Sequence, residues 1–327
     1  MRVVSCNSFG PLDQLTIEER PPRELGPADV RIEVKAAGVN FVDGLFVQGL
    51  YQVKPPLPFV PGGEIAGVVT EVGAEVSDLA VGQRVFVSTG LGGFATEVVV
   101  PAGAAVATPD AMTDGQAATF VQSYMTAWFA LHVRARASAG QLLLVLGAGG
   151  GVGLAAVDVG RAMGLQVLAA ASSEAKRAVA VAHGAAATLD TTADDLKTAA
   201  KEWAKAAGRS GVDLVYDPVG GSLAESALRS LDDDGQYLVI GFAAGEIPRL
   251  PANQVLLRNR RVTGVDWGGW IGKHQAENRQ MLHDVLAAIS AGDLHPVEPR
   301  AYAFEDVASA LGDQLQRNVV GKSVLVP

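Results

Sequence analysis

The chain has 327 residues, 49% of them hydrophobic and 19% charged, and carries a net charge of −9. That length accommodates two ordinary domains and the composition is that of a globular protein in water, while the acidic balance argues against nucleic acid or an anionic membrane as the main partner. A single cysteine, Cys6, excludes an intrachain disulfide and a cysteine-built zinc cluster and fits a reducing cytoplasm.

The N-terminus, MRVVSCNSFG, lacks an apolar stretch of signal-peptide length, so a cytoplasmic location is expected. Up to about residue 125 the texture is β-rich. VRIEVKAAGV, EIAGVVTEVG, QRVFVS and FATEVVV are short β-branched runs punctuated by Gly and Pro, the pattern of a barrel-like or sandwich domain. Residues 55–63, PPLPFVPGG, read as a proline-stiffened loop.

From about Tyr124 strands and helices alternate. The run Leu142–Leu146 stops at Gly147, five of the seven residues from Gly147 to Gly153 are glycine, and a helix is predicted over Leu154–Met163. From Ala148 the loop spells A-x-G-x-x-G (Ala148, Gly149, Gly150, Gly151, Val152, Gly153). Gly150 lets the backbone approach a pyrophosphate, and Gly153 lets the helix pack close to the strand. The helix N-terminus offers free N–H groups and the positive end of its dipole. Ala137–Val157 holds no charge, but the glycines in its middle argue against a membrane span.

Further units follow. These are the strand QVLAAA, a helix near Glu174–His183, the strand TLD, a helix over Thr191–Ala207 capped at Thr192 or its neighbour, VDLVYD, Ser222–Ser230 and QYLVIGF. Repeated βαβ predicts an α/β fold with a doubly wound parallel sheet, here a Rossmann dinucleotide-binding domain over 124–265. Beyond Val265, a helix at Gln275–Ala291 and strands at Ala301–Phe304 and Ser323–Val326 are too few for a core of their own. Residues 266–327 are therefore expected to return and complete the β-rich domain of residues 1–123.

The strand QVLAAA ends without a carboxylate. Ser172 and Ser173 follow, then Lys176 and Arg177, which suits a 2′-phosphate and points to NADP. The competing reading makes the serines a helix cap and the cations its solvated face, with Glu174 as an acid that could turn toward the ribose.

AAGVNFVDGLFVQGLY (36–51), PFVPGGEIAGVVTEVG (58–73), GAGGGVG, SSEAKR, VYDPVGG and the closing VVGKSVLVP resemble, in order and almost end to end, the medium-chain dehydrogenase/reductase superfamily. The resemblance is to its zinc-independent quinone oxidoreductase branch, the zeta-crystallin type. It implies a GroES-like first domain, NADPH as cofactor, no metal, and hydride transfer to a quinone or similar conjugated carbonyl. Reduction of an enone or enoyl thioester is the alternative, and non-catalytic NADPH binding as a sensor or structural protein a second one. Asn40 stands where zinc-dependent relatives place a cysteine ligand, and Gly63 where they place a histidine. The five histidines show no ligand spacing.

The same resemblance assigns Asn40, Asp43 and Tyr51 to the substrate site and Thr126 to the nicotinamide. It brings Gly241, Phe242 and Ala243 to the carboxamide, and Asn318 and Lys322 to the cofactor. Each has a structural reading beside it: a turn for Asn40 and Asp43, core or surface for Tyr51, a helix-internal hydroxyl for Thr126, an exposed charge for Lys322. Trp267 and Trp270 frame a substrate entrance or pack in a core or subunit contact. The strand Arg261–Val265 is expected at the sheet edge, where relatives pair across a homodimer.

Overall fold

A computed structural model describes all 327 residues, in two compact units: Met1–Val121 with Pro296–Pro327, and Gln122–His295. Residues 266–295 therefore belong with the nucleotide unit and not, as the sequence suggested, with the tail. The helix Gln275–Ala291 buries Met281, Val285 and Ile289 in that unit, and its end is held there where Asp158 accepts the His295 N–H.

In chain order the strands are β1 (Arg2–Ser5), β2 (Thr16–Glu19), β3 (Asp29–Val39), β4 (Glu64–Val72), β5 (Arg84–Ser88), β6 (Glu97–Pro101) and β7 (Ala105–Ala107). There follow β8 (Leu142–Leu146), β9 (Gln166–Ala171), β10 (Ala187–Asp190), β11 (Val212–Asp217), β12 (Leu231–Val239), β13 (Arg261–Gly264), β14 (Arg300–Ala303) and β15 (Ser323–Val326). The first unit holds a mainly antiparallel sheet in the order β14-β15-β3-β4-β5-β7, with β6 also on β3 and β1 paired to β2. Its core gathers Ile32, Ile65, Val69, Phe94, Phe304 and Leu325. The returning tail is part of this sheet, since β15 runs antiparallel to β3 with Ser323 opposite Val39.

The second unit is a six-stranded parallel sheet in the order β10-β9-β8-β11-β12-β13. The order reverses between β8 and β11, the switch point where such sheets take ligands at their carboxyl ends. β8 is buried at every position, which explains its unbroken LLLVL run.

Two helix starts differ from the sequence reading. The first helix opens at Gly151, three residues before Leu154, with Gly150 as N-cap, so the last glycines form its first turn. The helix predicted from Thr191 opens at Leu196 behind Asp195. Asp190 and Asp194 close a turn ahead of it, and Thr192 donates its N–H and hydroxyl to Asp190. No helix is long and apolar enough to cross a membrane.

Candidate active site

The glycine loop has steric reasons for its composition. Gly147 sits at φ +61°, and a Cβ on Gly153 would stand 2.3 Å from the Gly147 carbonyl oxygen. The helix Gly151–Ala162 thus starts in direct backbone contact with the end of β8. Its first N–H groups, at Gly151, Val152 and Gly153, lack intrahelical acceptors, the arrangement that suits an anion. Ala148 is anchored by its N–H to Ala170 O of β9.

A Cβ on Gly149 would lie 2.3 Å from Lys176 Cβ and 2.5 Å from its Cγ, so the lysine stem rests on the loop. Ser173 caps the next helix, Glu174–Ala182, accepting the Lys176 N–H at 3.4 Å. Arg177 is committed elsewhere, to Asp190 at 2.8 Å and to Ala171 O, so of the two cations only Lys176 packs on the loop. Ser172 is exposed.

Across the switch point, Asp217 at the end of β11 accepts the N–H groups of Val219 and Gly220 and the hydroxyl of buried Tyr237, holding the turn that follows. Gly241 and Ala243 spend their N–H groups on Asp217 O and Pro218 O, which leaves neither as a donor to a carboxamide. Phe242 is partly exposed and leans on Gly220. Thr126 donates its hydroxyl to Gln122 O at 2.7 Å, the helix-internal bond. Trp267 is buried and bonds Asn278, while Trp270 stacks on His274 and packs against Phe129, so both serve packing in this unit.

In the first unit, Asn40, Asp43, Glu64 and Lys322 form one buried cluster. Lys322 Nζ donates to Asn40 Oδ1 at 2.5 Å, Asn40 Nδ2 donates to Glu64 Oε2 at 2.8 Å, and the Asn40 N–H donates to Asp43 Oδ2 at 2.8 Å. Lys322 is only 6% exposed, which overturns its reading as a surface charge. Asn318 turns instead to Asp313 and Gln316 at the end of its own helix, outside this cluster. Tyr51 is also outside it, exposed and edge-on to Phe46 at 4.8 Å.

The cluster's donor set does not suit zinc. It has no thiol or imidazole and already contains an ammonium, and nowhere do three or more His, Cys, Asp or Glu side chains gather to hold a metal ion. Two of the histidines, His132 and His274, stack on Trp128 and Trp270.

Burial pushes the Asp43 carboxyl up to about 7; the Asn40 N–H pulls it down, Glu64 adds to the rise and Lys322 opposes it. The unfolded chain releases this proton near pH ~4 and the folded chain keeps it to about 7. Between those values the native state binds the extra proton, so this group's contribution to stability falls as pH rises. Asp43→Asn, which still accepts the Asn40 N–H, removes that slope. Its stability relative to the parent should rise by roughly 1–3 kcal/mol between pH 5 and pH 8 in urea denaturation; a constant difference would refute the assignment.

Two features escaped the sequence reading. Glu64 was visible only as the acid after Gly62-Gly63, although a carboxylate heading the apolar run IAGVV was a signal. Asp158, fully buried in the helix Gly151–Ala162, was equally conspicuous as the one acid among LAAV and VG.

Residues 26–110 match the family described as alcohol dehydrogenase GroES-like domain, and 151–287 that described as zinc-binding dehydrogenase. The chain is 37% identical over 312 residues to quinone oxidoreductase-like protein 2 of Rattus norvegicus, spanning 95% of this chain and 88% of that protein. Among solved structures it is similar to the quinone oxidoreductase of Thermus thermophilus, solved alone and with NADPH (30% identity, TM-score 0.82, 100% of both chains). It is also similar to the Escherichia coli quinone oxidoreductase complexed with NADPH (26% identity, TM-score 0.86, 100% of both chains).

Proposed function

Because the chain belongs to the quinone oxidoreductase branch of the medium-chain dehydrogenase/reductase superfamily, we propose that it is an NADPH-dependent, zinc-independent reductase of quinones or similar conjugated carbonyls. The observation that carries the cofactor assignment is the stem of Lys176 packed on Gly149, beside a loop whose free N–H groups suit a pyrophosphate, with no carboxylate at the tip of β9. Solved relatives that bind NADPH support it.

When bound, the dihydronicotinamide supplies the hydride. The chain supplies placement and polarity: the loop N–H groups hold the pyrophosphate, Lys176 meets the 2′-phosphate, and Asn40 offers an amide N–H to the oxygen on which the acceptor's negative charge collects. A conjugated carbonyl is the acceptor that such a site favours, because that charge reaches an oxygen and needs no metal. In the same reading, the exposed edge strand β13, with Val262 at its surface, pairs with a second copy, and the protein works in the cytoplasm.

Steady-state assays on a benzoquinone and an enoyl thioester test the reaction. Quinone-dependent NADPH oxidation is expected. Turnover of the thioester alone replaces the quinone reading with the enoyl one, and turnover of neither ends the reductase claim. Lys176→Ala is expected to raise the apparent KM for NADPH about tenfold, about 1.4 kcal/mol, while changing that for NADH less than about twofold. Equal effects on the two cofactors would sink the 2′-phosphate contact.

A further inference from the structure

The cluster around Asn40 is assembled by three strand ends. β3 finishes at Val39 and hands Asn40 to the N-cap of the helix Phe41–Gln48; β4 begins at Glu64, with Gly38 opposite it. β15 begins at Ser323 opposite Val39, which sets Lys322 beside Asn40 across 282 residues of sequence. All three side chains are less than a tenth exposed.

A carboxamide has two ends of nearly equal shape and opposite polarity, so packing alone does not choose its orientation. Here charge chooses it. The Lys322 ammonium holds the oxygen and the Glu64 carboxylate holds the nitrogen, both in charge-assisted bonds shielded from water. A flip would set the NH2 against the ammonium and the oxygen against the carboxylate. The two bonds also polarise the amide in one direction and leave one N–H of Nδ2 uncommitted.

We propose that Lys322 is a positioning residue that acts through Asn40: with Glu64 it fixes the carboxamide in a single orientation and presents one polarised N–H to the acceptor's carbonyl oxygen. This rests on the reading that Asn40 serves the acceptor, and it removes Lys322 from the cofactor contacts. Burial lowers the lysine's proton affinity, and the neighbouring Glu64 and Asp43 carboxyls restore part of it.

The experiment compares Lys322→Met, the double variant Glu64→Gln/Lys322→Met, and Asn40→Ala. It reads kcat at saturating NADPH, the NADPH dissociation constant from cofactor fluorescence, and the thermal midpoint. Lys322→Met should lower kcat between about 10- and 100-fold while changing the NADPH dissociation constant less than about twofold. It should also lower the midpoint, because a positive charge that interacts favourably with the Glu64 carboxylate is removed. The double variant removes both charges and should regain most of that midpoint while kcat stays depressed, which keeps the test valid if Lys322→Met fails to fold. Recovery of kcat together with stability would make Lys322 a structural residue and overturn the proposal. So would an NADPH dissociation constant raised more than about tenfold with kcat intact, the signature of a cofactor contact. Asn40→Ala separates the two levels. If it leaves kcat unchanged, the acceptor-site reading of Asn40 fails. If it lowers kcat and Lys322→Met does not, only the positioning role fails.

Discussion

Gly153→Val should weaken NADPH binding at least ~100-fold, about 3 kcal/mol, in a titration of cofactor fluorescence. Two effects of opposite sign meet at this position. A glycine inside a helix costs about 1 kcal/mol relative to alanine, so an added side chain in open space stabilises. Here the new Cβ would lie 2.3 Å from Gly147 O and 2.9 Å from Ala148 Cα, both backbone atoms that cannot rotate away. The helix start must therefore move off β8, and it carries the N–H groups of Gly151, Val152 and Gly153 with it. Steric overlap wins over propensity. Binding within about threefold of the parent would show that the close contact between helix and strand is not what forms the site.

Asp158→Ala should cost about 3–5 kcal/mol in urea denaturation. Asp158 is fully buried on the same helix and gathers three donors: the Tyr124 hydroxyl at 2.8 Å, the His295 N–H at 2.5 Å, and Arg161 at 2.8 Å. Arg161 is partly exposed and can turn to water, whereas the buried Tyr124 hydroxyl cannot. That orphaned donor adds to the loss of the His295 N–H bond and of the Arg161 ion pair, and together they set the size of the effect. Adding Tyr124→Phe to Asp158→Ala removes the orphan and should recover about 1–2 kcal/mol. A loss below ~1 kcal/mol for the single variant would mean that water reaches the site.

Much of this was legible locally. β8, the glycine loop and the helix after it lie within about twenty residues, and each residue's task, a positive φ, a close approach or a free N–H, is set by its immediate neighbours. The resemblance extended that reading to Asn40, Asp43 and Lys322 but did not say how they meet. Tyr51, Thr126 and Asn318 came with the same resemblance, and the structure gives them a ring neighbour, an i−4 carbonyl and a helix end. The pattern marks which polar residues stand near an element's end; it does not say which way the hydroxyl or amide turns. Arg177 shows the same limit, since its partner Asp190 arrives only when β10 pairs with β9.

The sequence by itself determined the α/β class, the parallel sheet, the dinucleotide loop and the missing carboxylate after β9, because hydrophobic period, turn chemistry and capping act over a few residues. Only the tertiary structure decided that Glu64, Asn40 and Lys322 share one buried site and that Asp158 ties Tyr124 to His295. Those meetings depend on strand register and helix packing between segments 24 to 282 residues apart. Register is set by which faces are buried together, a property of the assembled sheet that no single segment carries.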